Sequence, residues 1–248
     1  MDLLLDLGNT RVKWAWAQAG RLVSVGAAVW AELPAPALVA ELAGADVLPA
    51  RVALATVAPR GYAEGLVSAA AQRWGVPVAA LQALPACAGV RNGYTLPAQL
   101  GVDRFAALVG AWQRAPGRAA VIADAGSALT VDVLDSSGLH LGGTIAPGLT
   151  LAQESFFLRT GRKPCQGQAD PQGLARNTAD AVASGALAAA VGAITRAWQL
   201  HRVRSGAVPA LFLTGGDAHA LSARIEIPHT LAPLLVLEGM LLMLGDRA

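Results

Sequence analysis

Two segments of the chain combine an acidic residue, a glycine and a hydroxyl side chain directly after an apolar run. They are Asp6-Leu7-Gly8-Asn9-Thr10-Arg11-Val12-Lys13 and Asp124-Ala125-Gly126-Ser127-Ala128-Leu129-Thr130. Each leads into another apolar run, so each predicts a strand, a tight turn and a second strand. Glycine permits a positive-φ turn and close approach of backbone to a phosphate, and a carboxylate at the strand end can hold a hydrated cation. The matched pair favours two similar half-domains facing one nucleotide over two ordinary hairpins.

The sequence offers no other phosphate-binding fingerprint. It contains neither GxxxxGK[ST] nor GxGxxG, which argues against a P-loop and against a dinucleotide-binding turn. We therefore expect phosphates to rest on backbone N–H groups and hydroxyls of Gly8, Asn9, Thr10 and the second turn. Lys13 is a compact ammonium beside the first hairpin and suits a phosphate oxygen. A surface lysine on a strand would have the same spacing.

A second chemistry is indicated by Gly101-Val102-Asp103-Arg104. Apolar residues recur at helical spacing after Arg104, so this segment is expected at a helix N-terminus. Asp103 could accept a hydroxyl proton, and Arg104 could bind a carboxylate through two parallel hydrogen bonds. The alternative is that Asp103 only caps the helix, which is the more common role for such a residue.

Composition restricts the class of protein. The 248 residues are 54% hydrophobic and 15% charged, which excludes a disordered chain. The net charge of +2 and the lack of a basic cluster argue against nucleic-acid binding. The two cysteines, Cys87 and Cys165, and the four histidines have no metal-ligand spacing, so we expect neither zinc nor a disulfide. The apolar segment 231–244 is too short to span a bilayer. These features predict a soluble cytoplasmic protein that binds no membrane.

The order of apolar and turn-forming segments predicts an α/β protein with an internal repeat. The break at 114–118 divides it into halves 1–117 and 118–248. Predicted strands are 3–5, 12–17, 21–25, 52–57, 76–81, 119–123, 129–134, 139–144 and 208–213. Predicted helices are 37–43, 61–74, one that follows residue 104, 178–199 and 231–244. The glycine-rich strand exit 141–148 is expected to bring backbone near a ligand or near the opposing half. The segment 214–217, after a buried strand, is where an adenosine could pack.

Together these features resemble the acetate-kinase, sugar-kinase, Hsp70 and actin superfamily. Five segments, in order, are similar to the type III pantothenate kinase family, also called the Bvg accessory factor family. They are DLGNTRVKWA, GVDRFAALVGA, DAGSALTVDV, GGTIAPGL and NTADAVASGAL. The resemblance covers essentially the whole chain. It implies two ribonuclease-H-like half-domains, each a mixed sheet flanked by helices, with an ATP cleft between them.

The resemblance also implies roles for individual residues. The ATP-binding segment would be Asp6, Leu7, Gly8, Asn9, Thr10, Arg11, Val12 and Lys13, and Ser127 would replace a usual ATP-contacting threonine while keeping the hydroxyl. The substrate-binding set would be Tyr94, Gly101, Val102, Asp103, Arg104 and Thr178. Asp103 would be the proton acceptor, and Asp6 would lie near magnesium, directly or through water. Asp124 would bind a monovalent cation, K⁺ or NH₄⁺.

The implied activity is ATP-dependent phosphorylation of pantothenate to 4′-phosphopantothenate, the first step of coenzyme A biosynthesis. Two alternatives stay open at this point: a kinase for another small hydroxyl substrate, and a non-enzymatic regulatory (transcription accessory) protein. Small residues along 178–199 and the low charged fraction predict a homodimer whose active site is completed across the interface. A buried helix within one subunit would have the same composition.

Overall fold

The computed structural model describes residues 1–43, 47–58, 60–170 and 173–246. These residues form two compact units. The first consists of Met1–Gln113 and Leu234–Ala248, and the second of Arg114–Pro233. The expected halves, 1–117 and 118–248, differ from these units mainly at the C-terminus, because the last helix packs on the first sheet.

The first unit is built on a five-stranded mixed sheet. Its elements in chain order are β1 (Asp2–Leu7), β2 (Arg11–Gln18), β3 (Arg21–Val29), α1 (Ala35–Ala43), β4 (Arg51–Thr56), α2 (Arg60–Trp74), β5 (Val78–Ala80), β6 (Ala86–Cys87), β7 (Val90–Arg91), α3 (Val102–Arg114) and the C-terminal α7 (Leu235–Gly245). The strand order in the sheet is β3-β2-β1-β4-β5. The first three strands form an antiparallel meander, and β4 and β5 are parallel to β1.

Strand β1 lies at the centre of this sheet and is covered on both faces. Leu3, Leu4 and Leu5 are all fully buried, which explains an uninterrupted apolar run in place of an alternating one. On one face, helices α1 and α2 close a core around Leu38 and Leu66. Burying these side chains stabilises the fold by about 1.5–3 kcal/mol each.

Helices α3 and α7 pack against each other at a close crossing. A Cβ on Gly239 would collide with the main chain of Ala106, and one on Gly110 would lie against Leu235. The two glycines let the backbones approach, and nine of the 13 residues of α3 are buried: Val102 and residues 104–111. The start of α3, where Asp103 and Arg104 lie, is therefore held in a rigid environment.

The second unit repeats the architecture of the first. Its elements are β8 (Ala120–Ala125), β9 (Ala128–Leu134), β10 (His140–Pro147), α4 (Leu149–Arg159), α5 (Thr178–Ser205), β11 (Ala210–Thr214), α6 (Ala218–Ser222) and β12 (Thr230–Leu231). The strand order is β10-β9-β8-β11-β12, again an antiparallel meander followed by two parallel strands. This matches the first sheet strand for strand and confirms the internal repeat.

The core of the second unit lies between its sheet and helix α5. Ile194 and Trp198 pack from α5 against the strands, and the Trp198 indole donates a hydrogen bond to the Pro209 carbonyl at 2.9 Å. Within the described residues, α5 is the one helix long and apolar enough to cross a membrane, by length and composition alone. Only 22% of its apolar window is buried in the chain, so most residues of this helix are exposed or only partly buried.

Several predicted elements differ from the structure. The predicted helix 231–244 was wrong at its start, because Thr230–Leu231 pairs with β11 as β12, and α7 begins at Leu235. Pro233 lies between the strand and Leu234, the N-cap residue of the helix. Helix α4 was not predicted. Only Phe157 of its 11 residues is buried, so the segment lacks the apolar stripe that marks a helix in a sequence.

Candidate active site

The first hairpin joins β1 and β2 through the exposed turn Gly8-Asn9-Thr10. Asp6 is the next-to-last residue of β1, and strand register places it directly opposite Lys13 of β2. Asp6 is 8% exposed, so its carboxylate sits at the edge of the core. The two side chains emerge on the same face of the sheet, because residues opposite each other in an antiparallel pair share a face.

The turn glycines have a different role from the expected one. Neither Gly8 nor Gly126 has a positive φ, so the sequence-based expectation of a left-handed turn at these residues was wrong. The Gly8 N–H donates to the Arg11 carbonyl at 3.0 Å and closes the hairpin. That N–H is therefore engaged within the turn.

The second hairpin occupies the equivalent place in the repeated sheet. Asp124 is the next-to-last residue of β8, just as Asp6 is the next-to-last residue of β1. It lies opposite Thr130 on β9. The Gly126 N–H closes the turn by donating to the Ala128 carbonyl at 3.0 Å. The carbonyl of Ser127 accepts the N–H of Gly148 at 3.0 Å, so the glycine-rich exit from β10 contacts this hairpin.

The glycine pair after β11 also lies against the second hairpin. Gly215 has a φ of +93°, and a Cβ at this position would collide with the Ala125 carbonyl and the Asp124 carboxylate. The Asp217 N–H donates to the same carbonyl at 3.0 Å. Burial raises the pKa of the Asp217 carboxyl. Because the backbone at position 215 has a positive φ and lies against Ala125, only glycine fits there without strain.

Asp103, Arg104 and Tyr94 form one cluster in the first unit. Arg104 is 6% exposed; its guanidinium donates to the Tyr94 hydroxyl at 3.0 Å and lies 5.7 Å from the centre of that ring. The Asp103 carboxylate accepts a hydrogen bond from the main-chain N–H of Arg104 at 2.8 Å. The structure thus brings together three of the residues predicted to bind substrate, and fixes the orientation of each.

Gly101 and Val102 form the helix start that carries this cluster. The Gly101 carbonyl accepts the N–H of Phe105 at 3.0 Å. A Cβ at Gly101 would lie only 2.6 Å from the Asp103 Oδ1 atom. Glycine at position 101 therefore leaves the space that the Asp103 carboxylate occupies.

Sequence reasoning missed Asn92, which positions Tyr94. Its side-chain oxygen accepts the Tyr94 N–H at 3.0 Å, and its amide donates to the Pro97 carbonyl at 3.1 Å. The two bonds brace the irregular segment before α3. The spacing Asn-x-Tyr was the available signal, because asparagine side chains commonly bond to the backbone two residues on.

Thr178 is the first residue of α5 and lines a cavity of about 760 Å³ with Phe156, Arg176 and Gly185. The helix start is built by Asn177, whose side chain caps it by accepting the N–H of Asp180 at 2.9 Å. The Asp180 carboxylate in turn accepts the N–H of Gln168 at 2.8 Å. The segment before α5 is thereby fastened to the helix, and Thr178 is held at the cavity.

Each of the two hairpin segments, 6–13 and 124–130, contains one acidic residue. No group of three or more His, Cys, Asp or Glu residues that could hold a metal ion occurs in ranges 1–43, 47–58, 60–170 and 173–246. Asp6 and Asp124 instead provide one carboxylate each. A single carboxylate fits an ion that is held mainly by nucleotide phosphates and water, as Mg²⁺ is in most nucleotide enzymes.

The repeated units and their matched acidic hairpins define the class. The fold is an α/β fold of two units, each a mixed five-stranded sheet flanked by helices. The structure is similar to a Baf family transcriptional activator from Campylobacter jejuni, with a TM-score of 0.60 and 20% identity, covering 99% of this chain and 98% of that one. It is also similar to (R)-2-hydroxyglutaryl-CoA dehydratase component A from Acidaminococcus fermentans, with a TM-score of 0.54, 14% identity and coverage of 100% and 99%.

The sequence comparisons are more specific. The family model of type III pantothenate kinase matches residues 2–200. A type III pantothenate kinase from Halorhodospira halophila is 38% identical over 246 residues, covering 97% of this chain and 96% of the relative. The chain therefore belongs to the type III pantothenate kinase family.

Proposed function

We infer that this chain transfers a phosphoryl group from ATP to pantothenate and forms 4′-phosphopantothenate, the first step of coenzyme A biosynthesis. The observation that carries this conclusion is the 38% identity with a type III pantothenate kinase over nearly the full length of both chains. A regulatory function is not favoured, since the likeness to a transcriptional activator is at 20% identity and concerns the fold.

The cluster at the start of α3 is suited to bind and activate the substrate. Arg104 is buried, and a desolvated guanidinium binds an anion strongly. It would hold the pantothenate carboxylate, with its plane set by the Tyr94 hydroxyl at 3.0 Å. Asp103 would accept the proton of the primary hydroxyl that attacks the γ-phosphorus of ATP. Its bond to the Arg104 N–H orients the carboxylate for this task.

The first hairpin is suited to hold the triphosphate. Asn9 and Thr10 would donate N–H and hydroxyl groups to phosphate oxygens, and Lys13 would neutralise charge from the neighbouring strand. Asp6 would help to hold magnesium, directly or through water, and this ion would neutralise the charge that develops on the transferred phosphoryl group. Positioning and charge neutralisation carry most of the catalysis in phosphoryl transfer, so exposed hairpins on rigid sheets are a fitting scaffold.

The second hairpin is suited to a monovalent cation. Asp124 supplies a carboxylate, and the neighbouring turns supply backbone carbonyls, which are the ligands that hard cations prefer. K⁺ or NH₄⁺ at this place would add positive charge to the nucleotide side of the reaction. Ser127, in the same turn, keeps a hydroxyl for an ATP contact.

A homodimer is supported by the exposed surface of the second unit. Helix α5 exposes small residues, including Gly185, beside the cavity that Thr178 lines. Exposed apolar side chains flank it: Phe156 is 40% exposed and Leu158 is 79% exposed. A second copy would cover this surface, and Thr178 would then contribute to a substrate site shared by both subunits.

The test is ADP release by the purified protein with ATP, Mg²⁺ and K⁺ in the presence of single substrates. The panel contains pantothenate, glucose, N-acetylmannosamine and glycerol, and the Asp103→Asn variant serves as the background control. We expect ADP release with pantothenate that is lost in the variant. Release with another alcohol and not with pantothenate would establish the alternative kinase. No release with any substrate would favour the regulatory protein.

A further inference from the structure

Trp30 contacts both ends of the first hairpin turn. It is the residue directly after β3, and its indole Nε1–H donates to the Gly8 carbonyl at 3.1 Å. Its main-chain N–H donates to the Thr10 carbonyl at 3.4 Å. The carbonyls of Gly8 and Thr10 are thus both engaged by a single residue, which lies 22 positions from Gly8 in the sequence.

The Trp30 indole packs against a second aromatic ring, that of Tyr62. Its ring lies 4.9 Å from the ring of Tyr62 on α2, at an interplanar angle of 41°. The Tyr62 hydroxyl donates to the Leu33 carbonyl at 2.7 Å, which fixes the tyrosine ring. Both rings pack against the core that β1 and α2 enclose. An aromatic pair in this arrangement contributes beyond the area that it buries, so Trp30 has a well-defined position.

The direction of these hydrogen bonds determines whether the turn can bind an anion. A peptide group that binds phosphate must present its N–H and turn its carbonyl away, because a carbonyl oxygen repels phosphate oxygens. Since Trp30 binds the carbonyls of Gly8 and Thr10, it restrains the Gly8–Asn9 and Thr10–Arg11 peptide planes, whose N–H groups belong to Asn9 and Arg11. The exposed turn, which would otherwise sample other orientations, is held in one.

We propose that Trp30 is a positioning residue for ATP, which fixes the peptide orientation of the Gly8-Asn9-Thr10 turn through its indole N–H. The proposal rests on the nucleotide-binding role proposed for this hairpin. Trp30 touches the turn and not the reacting atoms. Its effect is therefore expected on the affinity for ATP, and little on the affinity for pantothenate.

The test is Trp30→Phe, which keeps an aromatic ring beside Tyr62 and removes the N–H donor. Loss of one such hydrogen bond is expected to raise the KM for ATP about three- to tenfold, with the KM for pantothenate unchanged. ATP affinity measured by calorimetry should fall by the same factor. Trp74→Phe is the matched control: it removes an indole from the same core, whose Nε1 has no hydrogen-bond partner, and should leave both KM values unchanged.

The outcomes separate this proposal from the function on which it rests. A wild-type protein that binds no ATP would refute the hairpin assignment. An active wild type whose KM and affinity for ATP are the same in Trp30→Phe overturns the role of Trp30 alone, and so does an equal rise for ATP and pantothenate. If Trp30→Phe does not fold, Tyr62→Leu, which removes the supporting ring and keeps the indole donor, must raise the KM for ATP about twofold or more. An unchanged value there also overturns the proposal.

Discussion

Replacing Asp103 by asparagine separates the two roles that the sequence leaves open for this residue. The asparagine side chain keeps an oxygen that can accept the Arg104 N–H, which lies 2.8 Å from the carboxylate. The helix start is therefore preserved, while the proton acceptor is lost. General base catalysis usually contributes about 10²–10⁴-fold, so we expect kcat to fall by that factor, about 2.7–5.5 kcal/mol in activation free energy.

Asp103→Ala provides the comparison that isolates the helix-start bond. Both variants lose the base, so both should lose the same catalytic factor. Only the alanine variant also loses the bond to the Arg104 N–H, which is expected to cost about 1–2 kcal/mol of stability. For a chain of this length that corresponds to a fall in Tm of about 2–4 °C per kcal/mol.

Steady-state kinetics and thermal unfolding of the three proteins decide the matter. ATP affinity, measured by calorimetry, should be nearly the same in all of them. Near-normal kcat in Asp103→Asn, together with a lower Tm in Asp103→Ala, would show that Asp103 is a structural residue at the helix start, and the assignment of the base would be refuted.

Four further predictions concern single positions. Arg104→Lys keeps the charge but loses the planar fork, so the KM for pantothenate should rise while that for ATP stays constant; a change in ATP alone would contradict the carboxylate role. Activity should need K⁺ or NH₄⁺, and Asp124→Asn should abolish that stimulation; equal rates in Na⁺ and K⁺ would argue against the cation site. A Cβ added at Gly185 meets nothing within 4 Å beyond its neighbours and its own helix backbone, so Gly185→Glu should fold; sedimentation should show monomers with lost turnover, and an active monomer would exclude a shared site. Burial lowers the pKa of the His201 imidazole below its usual 6.5 despite the nearby Asp135. Around this pH the folded protein therefore binds fewer protons than the unfolded protein, so Tm should fall as the pH drops below about 6.5. His201→Gln should make Tm less dependent on pH in this range.

The parts of the fold that were predictable are those that leave a local signal. The two acidic hairpins follow uninterrupted apolar strands, and their equivalence reflects a real repeat of sheet order. The Asp103–Arg104 segment was marked by the periodicity of α3. These features depend on residues that are close in sequence, where apolar spacing and turn chemistry are informative.

The parts that were not predictable depend on contacts between residues distant in sequence, or lack the apolar stripe that marks a helix. Helix α4 buries little, so its sequence carries no periodic apolar face. The join between β12 and α7 lies inside one continuous apolar run, where Pro233 was the single usable signal. The Trp30 contact with Gly8 joins residues that only the packing of β3 beside the hairpin brings together. Residues that position a site are harder to predict than those that act in it, because their partners are set by tertiary structure.

The most direct test of the central conclusion is the structure of the reaction product. Wild-type protein incubated with pantothenate, ATP, Mg²⁺ and K⁺ should yield a product whose ³¹P and ¹H NMR spectra place one phosphate on the primary 4′-hydroxyl of pantothenate. ADP should form in equal amount. Unchanged pantothenate under these conditions, or phosphate on a different group, would contradict the account.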